Sequence, residues 1–120
     1  MGGAVKSGKI WGQTSLIYAN HVLELHRIEV KAGGFCSKHK HLHKWNGFFV
    51  EKGTLKISVF KNDYALVDET ILKAGDFMAV KPSEFHMFKA EEDTVAMEIY
   101  WAEPLDAEDI ERETVGGNAP

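Results

Sequence analysis

The chain is poor in cysteine, in helical periodicity and in long apolar runs, and each shortage excludes a class. A single cysteine, Cys36, among 120 residues rules out an intrachain disulfide framework and fits a reducing compartment. No stretch approaches the ~20 consecutive apolar residues of a membrane helix, and the opening MGGAVKSGKIWG lacks the apolar run of a signal peptide. Its Met-Gly start has Ser7 in view but Lys6 where a myristoylation pattern has Ser or Thr, and no second anchor accompanies it. A cytoplasmic protein that engages no membrane is the expectation. There is no basic stripe with interleaved aromatics, so nucleic acid is not an expected partner. The net charge of −4 comes from 14 Lys and Arg against 18 Asp and Glu. This acidity is local, since residues 103–120 hold six carboxylates and one Arg.

What is present is strand-like. Short apolar or alternating runs cover 14–19, 22–30, 35–44, 47–52, 54–60, 76–81, 84–90 and 94–102, and 64–73 reads as two more. The separators are turn residues, among them Gly33-Gly34, Gly53, Asn62-Asp63, Gly75 and Pro82, and Asn62-Asp63 fits a hairpin. In TLKISVF, Leu55, Ile57 and Val59 alternate with Lys56 and Ser58, the pattern of a half-buried strand. Many short strands at near-regular spacing imply an all-β sandwich or barrel. At 44% hydrophobic the chain suffices for one domain with a real core, residues 1–8 and 114–120 being its loose ends. The tail from Asp106 to Glu113, opened by Pro104, suits a short C-terminal helical turn.

The chemistry concentrates in Gly33–Gly53, GGFCSKHKHLHKWNGFFVEKG. His39, His41 and His43 stand at every second position. In an extended strand alternate side chains share a face, so the three point one way; in a helix each pair would be splayed by roughly 200°. Imidazoles gathered on one face are good ligands for Zn, Fe, Ni, Cu and Mn. A further ligand must come from elsewhere, and His86 in KPSEFHMF is the best candidate. Histidines among Lys38, Lys40 and Lys44 are equally what a charged, solvated edge strand presents. Cys36 has the opposite parity to His39 and reads as a small buried residue. Glu51 likewise has the wrong parity for a ligand.

The segment resembles the first cupin motif, G(x)5HxH(x)3–4E(x)6G. Five residues separate Gly33 from His39, His41 completes His-x-His, four residues lead to Asn46 and six more to Gly53. Gly75 to His86 resembles the second motif, G(x)5PxG(x)2H(x)3N, with six residues before Pro82, one residue fewer before His86 and Ala90 at the terminal Asn. The resemblance implies a small double-stranded β-helix, the RmlC-like jelly-roll barrel. Its inward faces would form a pocket at one mouth, with His39, His41 and His86 as ligands, Asn46 at the position of the usual Glu, and His43 as a compensating ligand. Phe48, Val50, Phe88, Met78 and Trp101 are candidate pocket walls, and Trp11 and Trp45 are lids or packing residues.

The chain is also similar to the carboxy-terminal cupin domain of bifunctional mannose-1-phosphate guanylyltransferase/mannose-6-phosphate isomerase enzymes. Lys9-Ile10-Trp11-Gly12 stands where that family has Lys/Arg-Pro-Trp-Gly, and His26 to Gly33 echoes its Lys-Arg-Ile-x-Val-x-Pro-Gly run. In that register His41 and His43 take the two histidine positions, Lys44 the Arg and Asn46 the Glu. The similarity implies a metal-dependent cupin acting on or recognising a small polar molecule such as a sugar phosphate, with one divalent transition ion (Mn, Fe, Ni, Zn or Cu). It implies no catalytic residue that the chain itself identifies. A metal-dependent oxygenase and a non-catalytic binding module with a degenerate site are the alternative readings. Cupins resembling this chain are commonly dimers, so a homodimer is expected.

Overall fold

The computed structural model describes residues 5–61, 66–102 and 107–119. Every regular element in them is a strand: β1 (Val5–Lys9), β2 (Gly12–Ala19), β3 (Leu23–Val30), β4 (Trp45–Lys52), β5 (Thr54–Phe60), β6 (Val67–Lys73), β7 (Phe77–Val80), β8 (Phe85–Ala90) and β9 (Thr94–Trp101). They form two antiparallel sheets, one ordered β1-β2-β3-β9-β4-β7 and the other β6-β5-β8, facing each other as an all-β jelly roll. The last strand, β9, is hydrogen-bonded between β3 and β4. Among the described residues no helix is long and apolar enough to cross a membrane.

Alternation decides which side chains meet between the sheets. On β4, Asn46, Phe48 and Val50 are buried while Trp45, Phe49 and Glu51 face out. On β5, Leu55, Ile57 and Val59 join Ile28, Val30, Phe88 and Ala96 in the core, each worth ~1.5–3 kcal/mol when a large side chain is fully buried. The β4–β5 connection turns at Gly53, whose φ is +95°; a Cβ there would collide with the Asp93 carbonyl, so glycine is required on two counts.

The structure departs from the sequence reading in four places. Residues 35–44 are not a strand; they make only the bridges Phe35↔Lys89 and His39↔His86, then bend at Leu42–His43. Residues 5–9, expected to be loose or loop, form β1 against β2. The described part of 64–73 is the one strand β6, and the Asn62-Asp63 turn lies outside the described residues. Within 107–113 there is a turn at Ala107–Glu108 and no helix; Pro104 and Asp106 lie outside the described residues.

Candidate metal centre

His39 and His86 form an antiparallel pair in the full sense. The His39 N–H donates to the His86 carbonyl at 3.1 Å, and the His86 N–H donates to the His39 carbonyl at 2.8 Å. Their ring centroids are 4.7 Å apart. Two residues on, the His41 carbonyl accepts from Ser83 N–H at 2.7 Å, which docks the histidine segment on the turn before β8. Ser83 adopts φ +71° there. One nitrogen from each of His39, His41 and His86 lies within 4.8 Å of the others. His43, past the bend at 42–43, is exposed and does not enter this cluster, because the bend ends the alternation that would have kept it on the same face.

Backbone carbonyls fix the tautomers. The Nδ1–H of His39 donates to the Ser37 carbonyl at 2.7 Å, and that of His86 to the Glu84 carbonyl at 2.9 Å. Both Nε2 atoms therefore keep their lone pairs, the arrangement that orients ligating histidines. His41 Nε2 is buried without a hydrogen-bond partner, a state that ordinarily costs ~1–3 kcal/mol. Burial, reinforced by the neighbouring His39, pushes the His41 pKa down to about 4, and burial lowers that of His86. Both rings are thus held neutral, as metal ligation requires.

Asn46, buried on β4, puts its Oδ1 2.9 Å from His86 Nε2 and donates from Nδ2 to Glu98 Oε2 at 3.3 Å. With the Nδ1 proton of His86 committed to Glu84, two lone pairs face each other across this gap. A cation resolves that conflict, as it does the unpartnered His41 Nε2. The donors therefore fit a transition ion bound by three imidazoles and one amide oxygen.

Sequence reasoning did not single out Glu98. It stands on β9 opposite Phe48 and His26, is 9% exposed, and accepts hydrogen bonds from Asn46 and Tyr100. Burial raises its pKa, against the effect of those bonds. The signal was in TVAMEIYW, where a carboxylate shares the inward parity of Ala96. Tyr100 sits edge-on to His41 at 5.0 Å, with Lys44 Nζ 4.1 Å from its ring centre. Lys44 also pairs with Glu24 at 3.5 Å, and Glu24 with His26 at 3.1 Å; the His26 hydrogen bond is the main reason the Glu24 pKa is lowered.

Glu24, His26, Lys44 and Tyr100 line a cleft of about 960 Å³, with His39, Glu98, Phe88, Trp11 and Cys36 also along its walls. Of the expected wall residues, Phe48 and Val50 are core, and Met78 packs against that core. Trp101 faces outward, stacked on Trp45 at 6.1 Å and 6°. Trp11 lies edge-on to Phe88 at 5.1 Å. Glu51 is exposed, 4.0 Å from Arg27, and Cys36 is buried.

Two facing antiparallel sheets with three histidines gathered beside an open cleft define a double-stranded β-barrel. The Cupin domain family model matches residues 26–103, and the chain belongs to that family. It is similar in structure to KdgF from Halomonas sp. (TM-score 0.71, 14% identity, 83% of this chain and 87% of that one). It is also similar to an RmlC-like cupin from Shewanella frigidimarina (TM-score 0.67, 19% identity, 88% and 87%). A third likeness is to a single-substitution variant of the oxalate decarboxylase of Bacillus subtilis (TM-score 0.73, 12% identity), where 82% of this chain covers 27% of that one. At these identities the likeness shows the fold alone. No curated protein sequence matches the chain.

Proposed function

We propose that this protein is a metal-binding cupin whose cleft acts on or recognises a small polar molecule. The convergence of three imidazoles on a buried, unpartnered His41 Nε2 supports this most directly. His39, His41 and His86 would hold one divalent transition ion, with Asn46 Oδ1 as fourth donor; His43 is left out of the set. Structures of the Bacillus subtilis oxalate decarboxylase are described as having Mn(II) centers, which makes Mn the first ion to try among Mn, Fe, Ni, Zn and Cu. Bound there, the ion would supply Lewis acidity toward a substrate oxygen.

A sugar phosphate is the ligand class that the similarity to the isomerase domain favours. Lys9, Lys31 and Lys44 border the cleft and offer point charges for a phosphate. Glu98 is a carboxylate in the cleft wall that could move a proton between adjacent carbons. The decisive test is metal content: protein prepared without added metal or a His-tag column, wild type beside His41→Ala. About one ion per chain in wild type, lost in the variant, is expected. A wild type that neither carries nor takes up Mn, Fe, Ni, Zn or Cu sinks the proposal. With metal in hand, turnover of sugar phosphates without oxygen separates isomerisation from oxygenase chemistry.

We further propose a homodimer in which a second copy covers the outer face of the large sheet. Trp45 and Phe49, each 37% exposed, and Phe77, 51% exposed, line up there with Trp101, and a contiguous aromatic face of this kind marks an interaction surface. A C2 contact uses the same patch on both copies.

A further inference from the structure

The carboxylate that the cupin motif usually places at position 46 is replaced by an amide, yet a buried carboxylate stands one strand away. On paired strands β4 and β9, Asn46 lies opposite Tyr100 and Phe48 opposite Glu98, so Asn46 and Glu98 are diagonal neighbours on one inward face, within reach of each other. Their link is the Nδ2 donation to Glu98 Oε2 at 3.3 Å. The Tyr100 hydroxyl, bonded to the same carboxyl, holds it in place.

An amide is ambivalent: turned over about its last bond, it exchanges an acceptor for a donor. In the orientation seen, Oδ1 faces His86 Nε2 at 2.9 Å and both atoms offer lone pairs. In the opposite orientation, Nδ2 would donate to His86 Nε2 and occupy the lone pair a ligand must give. Free of other constraints the amide would take that second orientation, because it satisfies His86 without an ion. An acceptor behind Nδ2 opposes the turn.

We propose that Glu98 is a positioning residue that sets Asn46 with its oxygen toward the histidines, converting an amide that would cap His86 into a fourth donor. This rests on the metal-binding reading above. Glu98 acts through Asn46 and not as a ligand.

The test compares wild type, Glu98→Leu, Glu98→Gln, Asn46→Ala and Asn46→Ala/Glu98→Leu, with His41→Ala as the no-site control. Mn(II) and Co(II) affinities come from calorimetry, Co(II) coordination from visible spectra, and the His86 ring nitrogens of the metal-free protein from long-range ¹H–¹⁵N NMR. Loss of a partner behind a ligand typically weakens metal binding about 10–100-fold, and that is expected for Glu98→Leu, with an altered Co(II) spectrum. In the metal-free variant the His86 Nε2 resonance should move toward that of a hydrogen-bonded acceptor. Glu98→Gln, which can still present an oxygen to Nδ2, should recover part of the affinity. In the Asn46→Ala background, Glu98→Leu should weaken binding far less. Unchanged affinity and an unmoved His86 resonance in Glu98→Leu, with wild type binding and His41→Ala not, would overturn the positioning role alone. Equal losses with and without Asn46 would overturn it too, and no binding by wild type would overturn both readings.

Discussion

His39 and His86 meet as one hydrogen-bonded antiparallel pair, 3.1 and 2.8 Å in its two backbone bonds, at a point where neither neighbouring segment continues the ladder. The pairing brings together imidazoles from the histidine-rich segment and from β8, and the Ser83–His41 bond adds the third. Ring positions are therefore set by the main chain, and side-chain substitutions at the site should change binding more than fold.

Replacing His41 by Leu separates those two effects. The variant removes the buried, unpartnered Nε2, so the metal-free protein should unfold at the same denaturant concentration or higher, by up to ~1 kcal/mol. Wild type should gain ~2.7 kcal/mol at an ion concentration 100 times Kd, and the variant nothing. A metal-free variant several kcal/mol less stable would show His41 to be a packing residue.

The same pair of proteins reports on protonation. His41 titrates at about 4 in the fold, depressed by burial, against ~6.5 unfolded. Between those values the unfolded chain binds more protons, so the His41 contribution to stability falls as pH drops from about 6.5 to 4. Glu98 works in the opposite sense: burial raises its pKa, and its contribution falls as pH rises above ~4.5. Urea titrations of metal-free wild type and His41→Leu at pH 7 and pH 4.5 isolate the His41 contribution. The variant's advantage should grow at the lower pH; a constant difference contradicts the neutral-ring assignment.

Cys36 should be a poor nucleophile. Burial pushes its thiol up to about 11, and its sulfur accepts from Phe88 N–H at 3.2 Å. At pH 8, reaction with a disulfide reagent should be slower than for the denatured chain by a factor of ten or more, since thiolate is the reactive form. Equal rates would mean that the cleft wall around Cys36 opens readily.

Ser83 holds φ +71°, a conformation costing a non-glycine residue roughly 1–2 kcal/mol. Ser83→Gly should stabilise the protein by about 0.5–1 kcal/mol in chemical denaturation, offset in part by the entropy of a glycine in the unfolded chain. Metal affinity should be unaltered, because the bond to His41 uses only the backbone. A loss of stability would show that the hydroxyl matters.

Trp45→Glu, or Phe77→Glu, should yield a monomer by light scattering while leaving metal content unchanged. Persistence of a dimer in both would place the contact elsewhere, with the β1 edge as the next surface to test.

Much of the barrel was legible because its strands carry period-two patterns over Gly and Pro punctuation. TLKISVF and TVAMEIYW emerge as β5 and β9 within a residue or two. His39, His41, His86 and Asn46 were legible as candidates through motif spacing. The lone-pair geometry among them was not, because it depends on which carbonyls hold the Nδ1 protons. His43 misled for a local reason, the bend at Leu42–His43, to which parity counting is blind. Glu98 was hidden because one acid in an apolar strand announces burial only once its register against Asn46 is known. β1 lacks apolar alternation altogether and exists by pairing with β2.

The order β3-β9-β4 has a consequence for how the molecule comes into being. While the chain is synthesised from its amino end, β3 and β4 emerge well before the strand that belongs between them, leaving a slot one strand wide with an open edge on each side. The nascent chain therefore holds His39, His41, Asn46 and His86, but neither Glu98 nor a closed large sheet, until β9 leaves the ribosome. A product stopped at Asp93 would offer that slot to any extended peptide able to pair with it.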